Sequence, residues 1–582
     1  MFSKHYQSEL TYLRQLGREL EDANPALAGW FAAQGGDPDV ARLLEGFAFL
    51  TARIRERIDD AVPEVIHALA EMVLPQAIRP LPACSVVEFR PRGTALRGLH
   101  RLPEGTEVGA RPIDGTACLF RTTVPVDLLP LSLTRTRYDP ALAERPAIAL
   151  GFEGTAGAGA LLQATPGLRL FLHGPVGLTT TVYLWLLRHL ARVEVRGASG
   201  ATVHLGAASV RPAGLDRAQP MLPWPELAPD GLRVMQEYFT LVPKLLFVDL
   251  VGLSELPPDA LGDAFEIVLR FDRPPRLPER PGDGLFRLFC APVINLFAAG
   301  ADPVLRDRRQ HEHLLRASRL DPRHMEVYRV ERVVGLRAQR RGRREYTPFY
   351  SFRHAARRPE EQAFFCTRRA RSPIDGGVDT YLSVRSGTDL EPDGDGETLS
   401  VDLLCTNRSL PTELRAGDLD RPTPRSPTVA SFRNLVHVTR PVRPPLGSDL
   451  TWRLIAHLAL NVRTLTDAES LRALLGLYNV QGEADEPLGQ RNARRIASIR
   501  SVEARPARKV VERVAVRGQR IRIEVDRAAF ASDGDAFAFG AALDALFASE
   551  TPLNTFHELV VRLHPTGVEL AWPGRLGEQP VL

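Results

Sequence analysis

The stretch from Asp37 to Ala61, DPDVARLLEGFAFLTARIRERIDDA, constrains this chain more than any other. Asp37 is placed to cap free backbone N–H groups, and Pro38 at the first helical position gives up a donor that has no partner there. Asp39 favours the positive end of the helix dipole. From there Val40, Leu43, Leu44, Phe47, Leu50, Ile54 and Ile58 recur at three- and four-residue steps, which places them on one side of a helix. Arg42, Glu45, Arg53, Arg57 and Asp60 occupy the other face. The spacing predicts a long amphipathic helix that must lie against something apolar.

Two shorter helices are expected around it. Residues 5–21 carry Tyr6, Leu10, Leu13 and Leu20 on one stripe, and Pro63–Leu74 carries Val65, Ile66, Leu69, Met72 and Val73. Pro75, Pro80 and Pro82 are expected to stop helix formation and hold the chain extended. Burying one stripe per helix does not offset the entropy of ordering three helices, so this bundle needs another chain or another domain to pack on.

At 582 residues the chain is too long for one core, and several domains are expected. Its net charge is only +4, and Lys4, Lys244 and Lys509 are the only lysines. An arginine bias spread along the chain is not the concentrated basic footprint of a nucleic-acid binder. Five scattered cysteines with no CxxC spacing argue against a zinc ribbon or a disulfide framework. The N-terminus lacks a signal pattern, and no apolar run is long enough to span a bilayer. A reduced, cytoplasmic protein is the expectation.

From Val86 the pattern turns to β. Strands are expected at Val86–Phe89, either side of Leu102–Arg111, twice within Cys118–Tyr138, and at 147–151, 168–173, 191–195 and 202–210. Leu184–Leu190 reads as a short helix and Gly154–Ala160 as a surface loop. Gly231–Phe239 reads as a helix followed by a buried strand through Val248, and Ala264–Arg270 as a strand. Cys290–Arg309 reads as a short apolar helix running into an extended segment. The arginine-rich residues 323–371 read as strands with solvated arginines. Beyond the proline-dense Pro422–Pro445, helices are expected at Asp449–Leu465, Ser470–Val480, Asp535–Ser549 and Asn554–Leu563. Strands are expected at Ile496–Ala504, Val511–Val525 and Gly567–Trp572. The fold class is therefore α+β and multidomain: an N-terminal helical bundle (1–82), a β-rich middle domain (83–300), a second β-rich domain (301–440) and a C-terminal α+β domain (441–582).

No catalytic constellation assembles. His311 and His313 lack a third ligand, Asp389–Ser400 has no glutamate at the twelfth position of a calcium loop, and His457 lies on an apolar helix. There is no GxSxG, HExxH or phosphate-binding loop. No enzyme activity, cofactor or metal is expected.

Ordered segments along nearly the whole chain carry a resemblance. They are YxxELxYLRxLGREL (Tyr6–Leu20), DPxVxRLLEGFAFLxARIRxRIDD (Asp37–Asp60) and Pro63–Phe89. Next come EYFxxxxKxLFxDLxGL (Glu237–Leu253), APVxNLF (Ala291–Phe297), EVYxVxRVxG (Glu326–Gly335) and YxPFYSFxH (Tyr346–His354). LLCTNR (Leu403–Arg408), WRLIxHLxLN (Trp452–Asn461), IxSIRSVEARP (Ile496–Pro506) and GEQP (Gly577–Pro580) complete the set. In these the chain resembles the TssF (ImpG, VasA) family of type VI secretion baseplate subunits. It departs from the family's usual pattern at Pro243, Val248 and Pro303–Arg309.

The resemblance implies a structural, non-catalytic wedge component: two copies with one TssG, recruiting TssK and TssE around the VgrG spike. Such a wedge seeds the Hcp tube and the TssB/TssC sheath, docked at the cytoplasmic face of the membrane complex without inserting into it. Leu44, Phe47, Leu50, Ile54 and Ile58 become candidate contacts to TssG or to a second copy of the chain. A baseplate subunit of another contractile injection system is an alternative with the same ancestry. A carbohydrate-binding or carbohydrate-active β-rich protein is a remote one, lacking the clustered aromatics and carboxylate pair it would need.

Overall fold

The computed structural model describes residues 6–7, 10–16, 38–40, 42–51, 67, 70–71 and 74–578. Within the last range 93–95, 141–144, 156, 198–199, 201, 226–227, 258–260, 276, 307–310, 338–342, 350–362, 387–396, 447–452, 454, 456–463 and 512–513 are outside the description. The chain is α+β and multidomain, built from several mostly antiparallel sheets.

The first sheet explains the chain's organisation. Its order is Ala430–Asn434, Cys84–Pro91, Cys290–Ile294, Thr116–Thr122, Glu107–Ile113. Strands hundreds of residues apart are thus immediate neighbours, with Phe89 opposite Phe432. A second five-stranded sheet centres on Ala264–Phe271, and a four-stranded one on Phe247–Val251 and Gly167–Leu172. The C-terminal sheet runs Ile499–Val511, Val514–Asp526, Thr555–His564, Val568–Leu576. Its two middle strands are parallel, joined through the helix Asp533–Glu550. That helix is buried on nearly every side and packs against helices Asp230–Thr240 and Val176–Arg188. Helices and sheets share one continuous apolar core, drawn from Leu81–Leu296 and from Leu404–Trp572, with Tyr328 added.

The eight-stranded sheet stands on its own core, Phe297 to Cys405. Here Glu326–Arg337 lies between Glu397–Thr406 and Arg343–Pro348. The chain leaves the main core at Leu296–Phe297 and returns at Thr406–Asn407. Asn295 Nδ2 donates to Asn407 Oδ1 at 2.8 Å, and the Asn407 N–H donates to Asn295 Oδ1 at 2.8 Å. This reciprocal pair closes the neck between the two cores.

Several expectations are corrected. Cys290–Ile294 and Phe297–Gly300 are strands, not a short helix. Every residue of Cys290–Ile294 is buried because it is a central strand, and a short, uniformly apolar run has no period to separate the two states. Thr555–His564 is a strand, not a helix. Phe556, Leu559, Val561 and Leu563 are buried, and from Leu559 onward the two-residue step is that of a strand. The helix through Glu71 has ended by Leu74, but the chain is not then extended: Pro75 opens a short new helix, Pro75–Ile78, at its first turn, where a missing N–H is harmless. Cys118–Tyr138 covers three strands, not two. The Gly154–Ala160 loop runs into a helix, Ala158–Gln163, after Gly157 in the left-handed region (φ 88°). Most of Asp449–Leu465, with His457, and most of Asp389–Ser400 lie outside the described residues.

The helix Asp230–Thr240 approaches Asp533–Glu550 closely at Gly231. A Cβ there would meet Leu546 Cα at 2.4 Å, Ser549 Oγ at 2.5 Å and the Ala545 carbonyl oxygen at 2.6 Å. Gly231→Ala is therefore expected to destabilise by about 1–3 kcal/mol through overpacking, read as a lower thermal midpoint. An unchanged midpoint would show that the two helices separate freely.

Candidate interaction surface

Around the helix beginning at Pro38, the described residues 38–40 and 42–51 are helical, as are 6–7 and 10–16. Arg14 Nη2 lies 3.6 Å from Glu45 Oε1, an exposed ion pair between the two stretches. The apolar stripe splits along its length. Ala48 is fully buried, and Val40, Leu44 and Thr51 are half-buried on the same line. Beside it Leu43, Phe47 and Leu50 are 74%, 60% and 59% exposed. These three stand at i, i+4 and i+7, one contiguous face. Ordinary surfaces carry single exposed apolar residues, not a helical row of large ones. Ile54 and Ile58 lie outside the described residues, so the structure brings together Leu44, Phe47 and Leu50 and leaves the other two unplaced. Leu43 belongs to the open face, although it was not among the candidate contacts.

The third helical stretch lies at the junction of the two cores. His67, Ala70 and Glu71 are helical and buried. Glu71 pairs with Arg79 at 2.7 Å, and the Arg79 guanidinium stands 5.7 Å over the Tyr328 ring. Leu81 bridges Val442. A cavity of about 50 Å³ at this junction is lined by Leu74, Arg79, Gln236, Val442, Arg453 and Tyr478. Arg369, buried on the strand Ala363–Arg371, donates to the Tyr328 carbonyl. Burial, with Arg369 and Arg368 nearby, lowers the His67 pKa to about 4. A histidine so depressed is neutral in the fold, whereas its unfolded counterpart protonates near pH 6.5. Its contribution is therefore intact above pH 6.5 and is lost progressively as pH falls from there toward 4. The protection factors of amides in residues 67–78, with the intrinsic pH dependence of exchange divided out, are expected to fall over that window in the native chain, and His67→Gln is expected to flatten the dependence.

Elsewhere the polar groups lock segments together. Glu237 accepts from Arg233 Nη1 at 2.8 Å, from Lys244 Nζ at 2.6 Å, and from the Met221 and Leu222 N–H groups at 2.6 and 3.0 Å. Burial pushes its carboxyl up, but the Lys244 and Arg233 charges outweigh that and hold it below the ordinary value. Arg495 pairs with Asp535 at 2.8 Å, both buried. In the arginine-rich strands Arg368 pairs with Glu312 at 2.6 Å, Arg332 with Glu345 at 3.1 Å and Arg329 with Glu331 at 2.7 Å.

Among the described residues, groups that can do chemistry do not converge. His311 is exposed and His313 is buried on the short strand His313–Leu314. Among the described residues no group of three His, Cys, Asp or Glu side chains is placed to hold a metal. Burial pushes the Cys118 and Cys405 thiols up to about 12, far from a nucleophile's range. His557 Nε2 meets Asp544 Oδ1 at 2.9 Å, but its other nitrogen has no hydrogen-bond partner among the described residues. No helix among the described residues is long and apolar enough to cross a membrane.

Comparison with known proteins covers the chain from end to end. The family described as "Type VI secretion system, TssF" matches residues 1–579. The "Type VI secretion system component TssF1" of Pseudomonas aeruginosa is 30% identical, over 100% of this chain and 99% of its own length. A chain of the TssK-TssF-TssG baseplate subcomplex of the type VI secretion system, solved by cryo-electron microscopy, superposes with a TM-score of 0.78 at 31% identity. That match covers 92% of this chain and 98% of the other. A chain of the type VI baseplate complex shares the fold at 24% identity, TM-score 0.59, over 100% of both chains. The chain belongs to the TssF family, the baseplate components of the type VI secretion system.

Proposed function

We propose that the chain acts as a non-catalytic wedge component, two copies joining one TssG through the open face of Leu43, Phe47 and Leu50. That exposed row is the observation that carries the reading: a helix with one line of its stripe covered and the other bare is built to receive another apolar surface. TssK and TssG stand beside a TssF chain in the solved subcomplex at 31% identity, which supports both as partners here. Recruitment of TssE, placement around VgrG, seeding of Hcp and the TssB/TssC sheath, and docking at the inner face of the membrane complex belong to the same proposal. So does the division of the chain near residues 82, 300 and 440. The change of core at Leu296–Phe297 supports the middle boundary, while the return at Thr406–Asn407 precedes the last.

Coexpression with the cognate TssG tests the reading. Native mass spectrometry is expected to give a complex with two copies of this chain per TssG. A free, folded monomer as the sole species would sink it.

A further inference from the structure

The C-terminal sheet ends in an open edge. Among the described residues, the thirteen of Ile499–Val511 pair only with Val514–Asp526, so no described strand lies beside their outer backbone groups. The start of the strand is covered, with Arg472 on the helix Ala468–Tyr478 donating to the Ile499 carbonyl at 2.5 Å. Its far end is bare, and Val510 is 70% exposed. Two more exposed apolar residues gather at this end of the sheet: Leu553, just before Thr555–His564, and Leu576, which closes Val568–Leu576. The register sets Thr555 beside Arg517 and Leu576 opposite Phe556, so all three share one end.

The charge there is one-sided. Arg508 stands directly opposite Arg517, and Lys509 follows. Nearer the covered end three arginines have an acid: Arg505 with Glu503 at 3.1 Å, Arg520 with Glu558 at 2.9 Å, Arg522 with Glu569 at 3.5 Å. Among the described residues Arg508, Lys509 and Arg517 have no ion-pair partner. Like charges directly opposite destabilise a sheet, and among the described residues no acid is paired with either arginine. A strand laid along the free edge would bring a side chain beside Arg508 on the same face, where a carboxylate supplies the missing charge. Pro506 lacks an N–H, which leaves Ala507–Val511 as the stretch able to take that strand.

We propose that this edge, from Ala507 to Val511, receives an extended acidic segment of another protein by strand addition, with Arg508 and Arg517 reading its carboxylates and Val510 its apolar side chains. The surface is separate from the helix face of Leu43, Phe47 and Leu50, and its test is independent of that reading. The probe is a labelled eight-residue peptide, Glu-Thr-Val-Thr repeated, which sets Glu and Val two residues apart on one face as Arg508 and Val510 are (a Lys–Val peptide with Lys for Glu is the control), titrated into the full chain by fluorescence anisotropy. Binding is expected to weaken about tenfold or more from low to physiological salt and in Arg508→Glu/Arg517→Glu. Hydrogen exchange on the native chain is expected to show new protection confined to residues 507–511, a readout independent of the variant's folding. Three results overturn the proposal: equal binding by the double variant, equal binding of a Lys–Val peptide, or no protection at 507–511. Arginine-dependent binding to phosphatidylglycerol vesicles with none to the peptide also overturns it, assigning the patch to a membrane surface.

Discussion

Phe47→Asp combined with Leu50→Asp is expected to weaken association with the chain's baseplate partners by roughly a thousandfold. Buried aromatic and aliphatic anchors at an interface each carry about 2 kcal/mol or more, and about 1.4 kcal/mol is tenfold in affinity. Both side chains are already exposed in the isolated chain, so the aspartates meet water there and the fold itself loses little. Leu44→Asp behaves differently. Its side chain is half-buried, so the charge also loosens the helix from its own chain. The measurement is surface-immobilised binding of the cognate TssG, with thermal unfolding of each variant as a control. Affinity within threefold of the parent for the Phe47/Leu50 variant would remove this face from the interface.

The second large effect belongs to Glu237. Glu237→Ala leaves Lys244 and Arg233 buried with their chief counter-charge gone, though Asp230 still holds Arg233 at 2.7 Å and the Gly214 carbonyl still accepts from Lys244 at 2.7 Å. Stranding buried charges costs about 3–5 kcal/mol. A fall of that size in the urea midpoint of the main core is expected, together with lower soluble yield. Replacing both partners, Glu237→Met with Lys244→Met, is expected to recover more than half of it, because no unpaired charge remains between them. If the double substitution is as damaging as the single one, the cost lies in the lost hydrogen bonds from the Met221 and Leu222 N–H groups and not in a stranded charge.

Those contrasts show what the residues disclosed in advance. The helix Asp230–Thr240 and most of Asp533–Glu550 were legible from their flanking turns and apolar content. Glu486–Ala497 was not, though its signal was present: Asp485 caps the Leu488 N–H and Pro487 sits in the first turn. Val176–Arg188 was shortened to its last few residues because Thr179, Thr180 and Thr181 suggest extended chain. Their hydroxyls instead donate to the carbonyls of Pro175, Val176 and Gly177, which satisfies them inside a buried helix. Nothing local could reveal that Asn295 and Asn407 clasp one another, or that Glu237 collects Lys244 and two backbone donors. Such contacts depend on the tertiary path. At the candidate surface the width of the stripe held the answer: Val40 to Leu50 spans more than one contact takes up, so one line is covered and the other left bare.

The pairing of Ala430–Asn434 with Cys84–Pro91 sets an order of events during synthesis. Elongation runs at about 5–20 residues per second, so the first strand waits on the order of tens of seconds for the neighbour that completes its sheet. The 297–406 unit, whose core is its own, is finished while the main body is still open. The helix bearing Phe47 and Leu50 leaves the ribosome before either. A nascent chain therefore presents this exposed apolar face while its largest core is unsealed, and if the face is the proposed assembly surface, early capture by a partner would shield it from aggregation throughout the interval.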